Sequence, residues 1–216
     1  MLDSSLLPLL NDRVRLRPLQ PADATAFAEG TADADVQAFG HLPESDYTPA
    51  SVRMMIEEHA EPGLDRGDLA ILAIANAAAD EFAGSLVLFG VTEDSAEVGF
   101  WLHPECRGSG FATAAMELAA EFVSRSGLAR LTARTAIENI SSQQVLTRAG
   151  FIHVGNAVDT APSGRELEVC CYARYALPRV AFEDGAHTPF QRVGEQAKDP
   201  GCVWPAGEPL GAAPFG

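Results

Sequence analysis

Apolar and charged residues alternate over residues 13–17, with Val14 and Leu16 on one face, and predict a first strand that Pro18 ends. Pro21-Ala22-Asp23 then opens a helix running to about Glu29, closed by Gly30. Thr48-Pro49 places a capping hydroxyl before a first-turn proline, so a second helix is expected over residues 49–60, stopped by Pro62 and Gly63. Two compact apolar runs, residues 69–75 and 82–89, flank a polar turn and read as a hairpin. Residues 96–102 form another strand, ended by His103-Pro104. The period becomes helical from Ser109 to Ser124, where Phe111, Ala115, Leu118, Ala119 and Phe122 make one stripe and Gly127 follows as a C-cap. A strand over 130–136, a short helix over 141–149, and strands over 151–158 and 166–175 complete the series.

Hairpins precede two strand–helix units in this order, which predicts an α/β (α+β) domain: a mixed sheet with helices on both faces. The first half lacks repeating βα units, which excludes a doubly wound nucleotide fold. The domain is expected over residues 11–177. After Pro178 prolines and glycines dominate, and residues 178–216 read as a tail or a strap that Phe182, Phe190, Val203 and Trp204 could anchor.

Charge narrows the partners. Thirty acids face fifteen Lys plus Arg, a formal net charge of -15, and Lys198 is the sole lysine. Such a field repels nucleic acid and anionic membranes and suits a cationic substrate such as an amine, or simply keeps the protein in solution. Cys106, Cys170, Cys171 and Cys202 match neither a zinc-site spacing nor a disulfide framework, so no metal is expected and a reducing, cytoplasmic setting is. The apolar start, Met1 to Leu10, lacks the basic residues and cleavage site of a signal peptide, and no run is long enough to span a bilayer.

Candidate chemistry begins at Pro104-Glu105-Cys106-Arg107-Gly108-Ser109-Gly110-Phe111-Ala112, between a strand and a helix. Glycines let the backbone amides of such a loop turn inward, and the helix start adds unpaired amides and a favourable dipole. The loop therefore suits a phosphate group, with Arg107 available for a second oxygen and Ala112 small enough for close approach. It has no Gly-Lys-Ser/Thr and is not a Walker loop. On its own the same residues also serve as a plain turn into a helix.

The segment resembles motif A of the GNAT superfamily of N-acetyltransferases, with Arg107, Gly110 and Ala112 in its places. Asn139-Ile140-Ser141-Ser142 followed by Ala149-Gly150-Phe151 is similar to motif B. Val14-Arg15-Leu16-Arg17-Pro18-Leu19 and Ala96-Glu97-Val98-Gly99-Phe100-Trp101-Leu102 resemble the branch that acetylates ribosomal-protein N-termini, which also holds small-amine and antibiotic acetyltransferases.

The resemblance implies the acyl-CoA N-acyltransferase fold, with a mostly antiparallel sheet of six to seven strands. It implies acetyl-CoA as co-substrate and a peptide N-terminus or small amine as acceptor. Strands 96–102 and 130–136 should splay, with the pantetheine arm pairing near Phe100, Trp101 and Leu102, the pyrophosphate on amides from Arg107 through Gly108, Ser109, Gly110 and Phe111 to Ala112, and Asn139 holding the arm. Glu97 is the first candidate base and Glu168 the second; each is equally readable as a solvated or ion-paired strand residue. His103 is a turn histidine. Many family members carry a tyrosine seven residues after the asparagine; here that place is Leu146, while Ser142 occupies the serine position of the ribosomal branch and either contacts the sulfur or caps its helix. Cys106 reads as a packed side chain. His41, Glu44, Asp46 and Tyr47 lie in a stretch that could recognise a cation or merely connect elements. The branch often forms homodimers. A non-catalytic acyl-CoA sensor of the same fold is the alternative, and a generic nucleotide-binding protein a weaker one.

Overall fold

The computed structural model describes residues 1–40, 42–44, 46–160 and 166–176. His41 and the expected tail over 178–216 lie outside them. Eight strands form one sheet, in the order β1-β2-β3-β4-β5-β6-β8-β7. They are β1 (Leu9–Leu10), β2 (Val14–Pro18), β3 (Ala70–Asn76), β4 (Phe82–Phe89), β5 (Ser95–Leu102), β6 (Arg130–Ala136), β7 (Ile152–Thr160) and β8 (Glu166–Tyr175). The two-residue β1, absent from the expected set, pairs with β2 because Leu9 carries the apolar N-terminus onto the core. Every neighbouring pair is antiparallel except β5 and β6.

Helices cover both faces. On one face lie α5 (Phe111–Arg125) and α6 (Ile140–Arg148), packed on Leu16, Leu72, Leu86, Val98 and Leu131. On the other lie α1 (Ala24–Thr31), α2 (Ala34–Phe39) and α3 (Pro49–Met55), packed over Ile71, Ala73 and Trp101, while α4 (Glu61–Arg66) reaches the sheet edge, where its Leu64 packs on the α5-side core. Alternation along β5 assigns its side chains: Ala96, Val98, Phe100 and Leu102 face α5, and Glu97, Gly99 and Trp101 face α1 and α3.

The helix begun at Pro49 does not stop at Pro62. A π-helical stretch, Ile56–Ala60, joins α3 to α4, and its shifted bonding absorbs the amide that Pro62 lacks. Gly63 serves close packing instead: a Cβ there would sit 2.8 Å from the Leu69 Cβ. The chain leaves the helix at Gly67, whose φ of 73° makes the C-cap. The first helix likewise runs past Gly30, which permits close approach of the Trp101 ring. Short α2 escaped prediction; Asp33 caps it by accepting from the Asp35 and Val36 amides.

Candidate active site

The sheet opens in its middle. β5 and β6 pair only at Ser95–Arg130, Ala96–Leu131 and Glu97–Thr132, and then diverge. The His103 amide donates to the Ala83 carbonyl on β4, 2.9 Å. Backbone groups alternate between strand edges, so those of Trp101 and Gly99 also face β4, while those of Val98, Phe100 and Leu102 face the gap. The backbone groups of Phe100 and Leu102 thus lie at the opening. Those of Trp101 do not, and its ring stands on the α1 side, edge-on to Phe27 with centroids 5.0 Å apart.

The loop after β5 reaches the start of α5. Gly108 and Gly110 have φ of 75° and 81°, values that an L side chain resists. Nothing lies within 4 Å of a Cβ built on Gly108, so the loop is open there. Ala114 N–H donates to Gly110 O, 3.1 Å, and the amides ahead of it are left over, as at any helix start. The N-cap is Gly110, which offers no side chain to satisfy them. The Ser109 hydroxyl donates to the Cys106 carbonyl and tightens the turn. An exposed nest of amides at the start of a fifteen-residue helix, next to a freed strand edge, fits a pyrophosphate with an extended arm.

The cation at this loop is Arg13, which sequence reading did not single out. Its Nη1 donates to Ser109 O, 3.1 Å, and lies 3.4 Å from a Cβ built on Gly110. Arg107 turns elsewhere: its guanidinium donates to Asp33 and Asp35 at the start of α2. Arg107 first of all holds the Asp33 carboxyl below the usual carboxylate range. Asn139 caps α6, its Oδ1 accepting from the Ser142 amide at 3.1 Å, and Ser142 is half-buried there. Leu146, on the same helix, is wholly buried in the core. Phe111 is half-buried and Ala112 buried in the first turn of α5.

Glu97 sits at the last paired position before the gap. Both its oxygens are engaged: Arg134 Nε donates to Oε1 at 2.8 Å and Nη2 to Oε2 at 3.1 Å, while Nη1 donates to Asp159. The three side chains are 8%, 10% and 12% exposed. Glu97 and Asp159 thus share the Arg134 guanidinium. Burial pushes the Glu97 carboxyl above its ordinary range, against the pull of Arg134. Arg134 and Asp159 were missed, although an arginine inside an alternating strand that must be buried is itself a signal. Glu168 lies elsewhere. It is exposed, and its place in β8 alternates with Cys170 and Tyr172, which join the α5-side core. The two candidate carboxylates therefore sit on opposite faces and do not converge.

His103 caps a short turn, its Nδ1 accepting from the Glu105 amide at 3.4 Å. Burial, then the charges of Glu105 and Glu81, push the Cys106 thiol up, which suits packing rather than nucleophilic attack. On the α1 side a pocket of 90 Å³ is lined by Phe27, Leu42, Tyr47, Phe89, Gly99 and Trp101 among others. A larger cleft of 860 Å³ lies on the α5 side near Arg130 and Tyr175, at the closed end of β5 and β6 and so away from the gap. Among the described residues no group of His, Cys, Asp and Glu is placed to hold a metal, and no helix is long and apolar enough to cross a membrane.

Residues 13–152 match the profile of the acetyltransferase (GNAT) domain. The chain belongs to this family. Among solved structures, this GNAT chain is similar to Mycobacterium smegmatis RimJ in complex with CoA-disulfide, at 25% identity over 77% of this chain and 84% of that one, TM-score 0.68. It is also similar to the ribosomal-protein-S5-alanine acetyltransferase of Vibrio fischeri, at 16% identity over 78% and 96%, TM-score 0.67. The spermidine N-acetyltransferase of Vibrio cholerae, in complex with CoA and spermine, shares 19% identity over 76% and 96%, TM-score 0.64. No curated protein sequence matches the chain.

Proposed function

We propose that this GNAT domain transfers an acetyl group from acetyl-CoA to a primary amine by direct attack in a ternary complex. The observation that carries the reading is the freed edge of β5, with Phe100 and Leu102 turned into the gap immediately before the Gly108–Gly110 loop and the start of α5. The structure of RimJ with CoA-disulfide, to which the chain is similar, supports the same reading.

Acetyl-CoA, when bound, supplies a thioester carbonyl with a thiolate leaving group. The amides from Gly108 to Ala112 and the Arg13 guanidinium hold the pyrophosphate. The Leu102 N–H donates to the carbonyl oxygen as it gains charge. The Glu97 carboxylate draws in an ammonium and takes its proton, directly or through a water, on the lone pairs that Arg134 does not use. The amine nitrogen bonds to the carbonyl carbon as the carbon–sulfur bond breaks. The departing sulfur takes up a proton, with the Ser142 hydroxyl as its hydrogen-bond partner; Glu168, exposed on the opposite face from Glu97, is the second candidate base. The setting is the cytoplasm, where the thiols of Cys106, Cys170 and Cys171 stay reduced, and the working form is a homodimer, as the resemblance implies.

Incubating the protein with acetyl-CoA and primary amines should release free thiol in step with acetylated amine by mass spectrometry. Coenzyme binding without thiol release on any amine supports an acyl-CoA sensor instead.

A further inference from the structure

Beyond the reaction class, the pocket on the α1 side bears on what the acceptor carries. Gly99 lines it, two residues along β5 from Glu97 and on the same face, which is roughly 7 Å. In register, Phe89 stands opposite Glu97 and Val87 opposite Gly99, and both line the pocket. An amine held at Glu97 therefore has its nearest substituent beside the residues that line the pocket.

The lining is hydrocarbon and aromatic. No charged side chain contributes to it among the described residues. The Ser85 hydroxyl is spent on the Leu72 carbonyl, 3.0 Å. Tyr47 stays a neutral phenol, pushed up to about 12 first by burial and then by the charge of Glu44. The walls are fixed by mutual packing: Phe27 meets Tyr47 at 5.4 Å and Trp101 at 5.0 Å between ring centroids, both edge-on. Among the described residues the lining offers a second ammonium no carboxylate, whereas an apolar group meets hydrocarbon and rings on every side and gains by entering.

We infer that the preferred acceptor is a monoamine whose carbon next to the nitrogen bears a branched aliphatic or aromatic group, seated against Phe27, Tyr47, Phe89 and Trp101. The inference rests on the acetyltransferase reading for where the amine sits. It sets this chain apart from an acceptor site built for a polyamine, which needs further negative groups along its length. A methyl group leaves most of the 90 Å³ empty, while an isobutyl or ring fills it.

The test is kcat/KM at saturating acetyl-CoA for glycinamide, leucinamide, phenylalaninamide and spermidine. Phenylalaninamide or leucinamide should exceed glycinamide by about tenfold or more, and spermidine should fall below both. In Gly99→Leu the gain should vanish, because a side chain at 99 grows past Val87, whose Cγ1 lies 3.3 Å from a Cβ built there, and into the pocket. A flat series in the native chain, or spermidine as the best acceptor, overturns the inference and leaves the acetyltransferase reading intact. Phenylalaninamide, titrated without coenzyme while the tryptophan fluorescence is followed, separates the two failures. Saturable binding tighter than that of glycinamide, with no thiol release from any amine, keeps the pocket assignment and removes the reaction. Neither binding nor turnover removes both.

Discussion

On the α5 side of the gap between β5 and β6 the chain presents backbone: the freed edge at Phe100 and Leu102, and the amides between Gly108 and Ala112. On the α1 side it presents side chains: the Glu97–Arg134–Asp159 group and a pocket of aromatic rings. A backbone site is assembled from neighbours in sequence, and its requirements are dihedral and therefore local. A side-chain site is assembled across strands, from residues 37 and 25 positions apart for the two ion pairs, and any of many residues can fill each place. On the function proposed above, one side meets a constant ligand part, phosphate and amide, and the other is free to vary with the acceptor.

The sharpest way to break this comparison is Gly110→Trp. The φ of 81° strains any side chain, and a ring there occupies the approach to α5 and displaces Arg13. Coenzyme affinity in calorimetry should fall by about a hundredfold or more, since the amide nest can no longer close on a phosphate. Native-like affinity would mean that the loop is a plain turn.

Glu97→Gln probes the other side. Burial raises the Glu97 carboxyl, so the base function is present above that raised value and lost as pH falls through it. Between the raised value and the acceptor's own pKa the amine arrives protonated and needs a base, and there the variant should lose about a hundredfold in kcat/KM. The difference should shrink toward high pH, where the amine is already neutral. Superimposable pH–rate curves would take Glu97 out of the base role. Stability carries the opposite sign: the folded state holds the Glu97 proton more tightly, so native stability declines as pH rises through that range, and the glutamine variant should lack this slope.

Arg13→Gln is the smallest of the three. Losing one exposed charge-assisted contact should weaken coenzyme binding by about tenfold and flatten its salt dependence, without moving the acceptor series. An unchanged salt dependence would return the phosphate role to Arg107.

The strands were the most legible part. Residues 82–89, 130–136 and 166–175 fall where apolar and β-branched runs place them, because a strand's burial pattern is written at a spacing of two. The helix after Pro49 was misjudged because Pro62 and Gly63 are stop signals only until a π-helical stretch and close packing on Leu69 absorb them. In the candidate site, Gly108, Gly110 and Asn139 are the residues that motif and spacing single out. The turning of Arg107 toward Asp33 and Asp35, and the arrival of Arg13 in its stead, depend on where α2 and the start of β2 meet the loop, and no local pattern encodes that meeting. Glu97 on the strand beside the cleft and Glu168 on the last strand both read as candidate strand carboxylates; only the register, which fixes the face of each, separates them.

The account stands on the freed β5 edge and the α5 start acting together as one coenzyme site. Amide hydrogen exchange followed by mass spectrometry, with and without acetyl-CoA, tests this directly. Peptides covering residues 98–102 and 108–113 should both become protected on binding, while the closed β3–β4 hairpin stays unchanged. Protection confined to other segments, or binding that leaves the two stretches exchanging as before, would contradict it.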